Sequence, residues 1–381
     1  MHPRVFDRPR DPATRVPADL AAVNEQEKRN MRQERKSEIG ERIFYALVGC
    51  LLVVAWSAGH AEPLGPATPP AFSASQGSNA ETKASVVRAY LVPARNTDPE
   101  IGGDNGRHVA LIGNCAKQRG LLYLFLPGTR GVPSPNSPLL RLAARNCLQA
   151  ISLAYPNNTS VFPDCRFDPA ERDCYAAWRL EKIDGVDRSD KIRITPSNSI
   201  ENRLLKLLEF LALRHPGDGW ERYVENGAVR WQDVIVSGQS QGGGEAAMLA
   251  KIHSVARVAL FGAVTDAVGS LAGQPAAWES ASGATPPERY YGFAHERDNF
   301  WPAIQRGWDA LGLDSFGPIV NVDSDNPPFG GSHRLTTGVP CVNPLVPNCA
   351  HTTVVNPELA ERFLPVWEYV MGLRLAPSGL K

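Results

Sequence analysis

Val234-Ile235-Val236-Ser237-Gly238-Gln239-Ser240-Gln241-Gly242-Gly243-Gly244-Glu245-Ala246-Ala247-Met248-Leu249-Ala250 is the stretch that decides how this chain reads. Val234–Val236 is an apolar, β-branched run, the mark of a buried strand. Ala246 to Ala250 is rich in good helix formers. Between them, small residues on both sides of Ser240 let the backbone reverse sharply from strand end to helix start. Such a turn pushes the serine hydroxyl out at the carboxyl edge of a sheet and aims the next helix N-terminus at it. A bare Gly-x-Ser-x-Gly arises by chance in many chains, but here the required strand and helix flank it.

Working outward, strand-like runs lie at 86–92, 108–112, 121–126, 150–154, 234–237, 258–261, 290–293 and 319–322. Several are continuously apolar, as strands covered on both faces are. Helical runs lie between them, at 137–149, 200–214, 243–253, 300–311 and 357–373. Ser137-Pro138 supplies a start signal for the first. The alternation predicts an α/β fold, a mostly parallel central sheet flanked by helices on both faces. Two segments without long periodic runs, 157–196 and 265–288, read as loop-rich insertions over the catalytic edge. Trp178, Trp278, Tyr175 and Phe162 are their candidates for an apolar pocket wall.

With its flanks in place, the Ser240 turn resembles the nucleophile elbow of the α/β-hydrolase superfamily, specifically exported serine esterases and lipases. The resemblance covers roughly residues 84–375, and Gln239 stands where such enzymes often carry His. It implies a serine nucleophile, then an acid, then a histidine base in chain order, with two backbone N–H donors for an oxyanion. Ser240 is the implied nucleophile. Asp298, in the loop leaving the strand at Tyr290, is the expected acid, with Asp266 the alternative. His351, shortly before the last helix, is the expected base. His333 is its alternative, on a hairpin added after 319–322. Gln241 and Thr129, in the Pro127–Gly131 turn, are the expected oxyanion donors. The implied activity is hydrolysis of a small-molecule or lipid-like carboxylic ester. Acyl transfer by the same residues, or a binding protein built on the same fold, are the other readings.

Composition narrows the partners. Lys+Arg and Asp+Glu number 40 each, so there is no basic excess for nucleic acid. No metal, nucleotide or flavin motif occurs, and no cofactor is expected. Residues 1–30 are charged and Pro-bearing, and they read as disordered or as an upstream over-extension. From Met31 a charged segment precedes fourteen residues, Ile43–Trp56, in which only Gly49 is not strongly apolar. Gly59-His60-Ala61 follows, completing the pattern of a signal peptide over 31–61. A retained anchor is the alternative, and membrane contact is expected only through this segment. Residues 62–83 read as a Pro/Ala/Ser-rich linker, and 84–381 as the catalytic domain.

Setting Cys50 aside, Cys115, Cys147, Cys165, Cys174, Cys341 and Cys349 form an even set without metal-site spacing. That pattern fits disulfides and a periplasmic or secreted protein. Of fifteen connectivities, the simplest by local closure joins 115 to 147, 165 to 174 and 341 to 349.

Overall fold

Alternate residues of each central strand enter one of two separate apolar layers, which makes the sheet the middle of three layers. The structure, a computed structural model, describes residues 87–103, 105–168 and 173–373. The expected leader, linker and first thirty residues lie outside the described residues.

The strands are β1 Val87–Pro93, β2 Arg107–Gly113, β3 Leu122–Leu126, β4 Gln149–Ser152, β5 Val224–Glu225, β6 Ala228–Val229, β7 Val234–Gln239, β8 Arg257–Phe261, β9 Tyr290–His295, β10 Val320–Asn321 and β11 Arg334–Thr337. Among the described residues, nine of them form one sheet in the order β1-β2-β4-β3-β7-β8-β9-β11-β10, while β5 and β6 pair separately. β2 is antiparallel to both neighbours, and the pairs from β4 to β10 are parallel. In the middle of the sheet Gly238 is level with Leu126 on one side and Leu260 on the other. The carboxyl ends of β3, β7 and β8 therefore share one edge.

The longer helices are α1 Pro138–Arg145, α2 Cys174–Asp184, α3 Ile200–Arg214, α4 Gln241–Ile252, α5 Trp301–Ala310 and α6 Ala360–Val370. Leu122, Leu124, Val234, Val236 and Val258 face a layer containing Trp178 of α2, Leu204 of α3, Ala246 of α4 and Trp308 of α5. Tyr123, Ile235, Ala259 and Phe293 face the other, with Leu139 of α1 and Phe363 of α6. The period of two along the strands thus sends successive side chains into opposite helical layers. None of the described helices is long and apolar enough to cross a membrane.

The mostly parallel sheet covered on both faces is the expected one, with three local corrections. The 157–196 insertion holds an eleven-residue helix, α2, where no long periodic segment was expected. Its buried face includes Arg179, Glu181 and Lys182 beside Tyr175, Trp178 and Ile183, so an apolar count does not reveal the period. β11 was not expected either, and it pairs in parallel with β9 and β10. His333 therefore precedes a parallel strand and does not sit on a hairpin. Finally, the first helix stops at Arg145, because Gln149 already belongs to β4.

Candidate active site

The site begins with a backbone reversal. Ser240 has φ 55° and ψ −125°, a conformation that costs an L-residue on the order of 1–3 kcal/mol and persists only where its surroundings impose it. Its N–H donates to the Phe261 carbonyl of β8 at 2.9 Å, and its own carbonyl accepts from Gly243 N at 2.9 Å as α4 starts. Gly242 lies against the end of β3 so closely that a methyl group there would overlap the Leu126 carbonyl. Gly242 is thus required by contact with the neighbouring strand, and Gly238 by contact with Gly242 itself.

His351 lies on a one-turn helix, Ala350–Thr353. Its Nε2 is 2.6 Å from Ser240 Oγ, and its Nδ1 is 2.6 Å from Asp298 Oδ2. The Asp298 side chain is fully buried, and the His351 ring is 12% exposed. The other oxygen of Asp298 accepts from Phe300 N at 2.9 Å and from Asn348 Nδ2 at 3.2 Å. Phe300 also packs on the imidazole, with ring centroids 4.9 Å apart. Gln239 reaches across to donate from Nε2 to the His351 carbonyl at 3.1 Å, which ties the elbow to the histidine segment.

The two alternatives lie in other environments. Asp266 accepts from Arg179 Nε at 2.7 Å, Arg179 Nη2 at 2.5 Å and Trp278 Nε1 at 3.0 Å. His333 is stacked between Tyr291 and Phe316, at 3.8 and 4.3 Å between centroids. Burial, reinforced by the Arg257 charge, lowers its pKa to about 4. His295 and His253 are likewise engaged, with the Val339 carbonyl and the Glu201 carboxylate respectively.

Around the turn after β3, Thr129 Oγ1 donates to Gln241 Oε1 at 3.1 Å, joining the two expected oxyanion positions side chain to side chain. Asn157 Nδ2 donates to the carbonyls of Gly128 and Gly131 at 2.7 and 2.8 Å. Tyr155 donates to the Pro127 carbonyl at 2.6 Å. These two side chains shape the loop, and sequence reading missed them.

The two insertions pack on each other through Tyr175 Oη to the Ala267 carbonyl at 2.7 Å and through the Arg179–Asp266 pair. Trp178 and Trp278 are buried packing anchors, while the buried Tyr175 lines a cavity of about 240 Å³ between the two insertions. Phe162 is half-buried and meets Phe300 edge-on at 6.0 Å, so it is the one of the four next to the His351 neighbourhood. An open groove of about 1000 Å³ lies at the other end of α4, lined in part by Asp98, Glu201, Trp231 and His253. Its lining includes none of Ser240, His351 and Asp298. Among the described residues no group of three His, Cys, Asp or Glu is arranged to hold a metal ion.

Strand order and elbow together define an α/β-hydrolase fold. Similar solved structures include a bacterial heroin esterase, 15% identical, covering 77% of this chain and 86% of its own, with a TM-score of 0.38. A putative dienelactone hydrolase from Klebsiella pneumoniae is 13% identical over 75% of this chain and 99% of its own, with a TM-score of 0.38. A thermostable carboxylesterase cloned from a metagenomic library is 14% identical over 76% and 90%, with a TM-score of 0.34. No protein-family model and no curated protein matches the chain.

Beneath the elbow, α4 carries Glu245, fully buried 3.3 Å from Arg179 Nη1. Burial raises its pKa to about 7 despite the nearby Arg179 and Lys182 charges. A carboxyl that ionises near 4.5 when unfolded and near 7 when folded favours the native state fully below pH 4.5. That contribution, on the order of 3 kcal/mol, is lost as pH rises through 7. Glu245→Gln should therefore flatten the decline in stability between pH 4.5 and 8 relative to wild type, measured by urea unfolding. Parallel pH profiles for the two proteins would mean that Glu245 does not titrate on folding.

Proposed function

We propose that the chain is an exported serine hydrolase that cleaves a carboxylic ester through an acyl-enzyme on Ser240. The observation that carries this reading is the continuous run of hydrogen bonds from Ser240 Oγ through the His351 ring to Asp298, 2.6 Å at each step. His351 Nε2 takes the serine proton while Oγ attacks the ester carbonyl. The Asp298 carboxylate holds the Nδ1–H and stabilises the imidazolium that forms. The N–H groups of Gln241 and Thr129 receive the oxyanion, the first of them at the N-terminus of α4. His351 then returns the proton to the leaving alcohol, and water releases the acyl group by the same steps in reverse roles.

Export is supported by the Cys115–Cys147, Cys165–Cys174 and Cys341–Cys349 disulfides, bonds that persist in oxidising compartments. They follow the local-closure pattern. Phe300 packs on the His351 ring and Phe162 on Phe300, which supports an apolar or aryl substituent on this side of His351.

A fluorophosphonate should label wild-type protein at Ser240, and Ser240→Ala should take no label. The same variant should fold normally and hydrolyse aryl esters at less than about a thousandth of the wild-type rate. Appreciable turnover by it would remove Ser240 from the mechanism.

The Cys341–Cys349 bond closes the segment that leads into His351, and Asn348 within that segment donates to Asp298. Closing so short a loop contributes roughly 2–3 kcal/mol by chain entropy, and a base displaced by about 1 Å loses on the order of 100-fold in rate. Replacing both cysteines by serine should lower kcat strongly with KM nearly constant, assayed below the variant's melting temperature. An unchanged kcat with a lower melting temperature would make the bond a structural clip alone.

A further inference from the structure

Arg179 is fully buried, and it belongs to α2, in an insertion rather than in the sheet-and-helix frame. Its guanidinium meets three residues on two other segments at once. Nε and Nη2 form a fork on Asp266, in the loop after β8. Nη1 donates to the main-chain carbonyl of Gln241 at 3.2 Å and lies 3.3 Å from Glu245, one turn further along α4. Contact with α4 is so close that a methyl group at Gly244 would overlap the guanidinium carbon. The third glycine of the Gly242-Gly243-Gly244 run is thereby explained by this arginine.

Gln241 is consequently held from two sides. Its side-chain oxygen accepts from Thr129, and its backbone oxygen accepts from Arg179. A charged, planar donor with a fixed fork constrains direction as well as distance. Gln241 follows Ser240 directly; its carbonyl belongs to the Gln241–Gly242 peptide, so holding it restrains, through the Gln241 Cα, the adjoining Ser240–Gln241 peptide that presents the N–H.

Resting on the ester-hydrolase reading above, we propose that Arg179, oriented by Asp266, is a positioning residue for the oxyanion site, locking the first turn of α4 to both insertions. Asp266, considered from sequence as the acid of the triad, thus serves the same reaction by another route. The arrangement couples the roof over the site to the backbone that receives charge in the transition state. Interactions there act on kcat more than on ground-state binding.

The test compares wild type with Arg179→Lys, which keeps the charge but loses the fork, and with Gly244→Ala, which crowds the guanidinium without altering any charge. For each, kcat and KM for an aryl ester, melting temperature, and amide hydrogen exchange across 238–250 are measured. We expect kcat to fall about 30- to 300-fold with KM within about threefold, the scale of a misplaced oxyanion donor. Faster exchange at 241–244 should accompany it. Arg179→Lys or Gly244→Ala proteins that fold, turn over within about threefold of wild type and exchange normally would overturn the proposal. Should Arg179→Lys fail to fold, Gly244→Ala decides alone. If wild-type Ser240 neither takes a fluorophosphonate nor cleaves esters, the hydrolase reading fails. The exchange measurement then still judges the clamp, with unchanged exchange at 241–244 overturning it.

Discussion

One backbone reversal, at Ser240, sets the terms for the rest of the carboxyl edge. A left-handed φ on a residue with a side chain is unfavourable by itself, so the conformation survives because neighbours on every side fit no other. β8 accepts the Ser240 N–H through Phe261, β3 abuts Gly242, and the amides of Gly243 and Gly244 turn back onto the Ser240 carbonyl. Because β7 lies between β3 and β8 with Gly238 level with Leu126 and Leu260, the sheet register determines where the hydroxyl emerges.

Polar side chains aimed at main-chain carbonyls then connect this turn to distant loops. Gln239 reaches His351, Asn157 and Tyr155 reach the 127–131 turn, and Arg179 reaches Gln241. Each is buried or nearly so, where an amide, phenol or guanidinium without a partner is costly. That cost makes the alternatives to the observed geometry unfavourable. An apolar core of equal volume would stabilise the domain as well or better, but it would not specify the direction of any one peptide. Glu245 illustrates the limit of such a network, since both its carboxylate oxygens lack hydrogen bonds, consistent with a carboxyl that burial keeps from ionising readily.

The frame and the Ser240 turn were legible because both rest on local pattern. Continuous apolar runs name covered strands, and small residues around a serine between strand and helix name the elbow. Placing His351 and Asp298 drew on chain order, which the resemblance supplied and the residues alone did not. β11 escaped because Arg334-Leu335-Thr336-Thr337 has a single aliphatic side chain. Its buried threonines satisfy their hydroxyls on Glu296 and Asp323, contacts without a sequence signature. α2 escaped for a related reason, since charged residues occupy its inner face and the partners of Arg179 lie 66 and 87 residues on, at Glu245 and Asp266. Asn157 and Tyr155 act on backbone atoms of another loop, which have no side-chain identity to match.

The order in which the chain supplies these parts has a consequence for when the protein can act. Ser240 and Asp298 follow β7 and β9, but His351 follows β11, the last described strand; its carbonyl accepts from the Gln239 amide and its N–H donates to the Asn348 carbonyl. Trp367 of α6 also donates to the Val354 carbonyl at 2.9 Å, so the histidine segment takes its place alongside the final helix. A polypeptide still emerging from the ribosome therefore holds Ser240 before His351 has been made. On the serine-hydrolase proposal, a chain ending before His351 would present the Ser240 turn without the imidazole that accepts its proton.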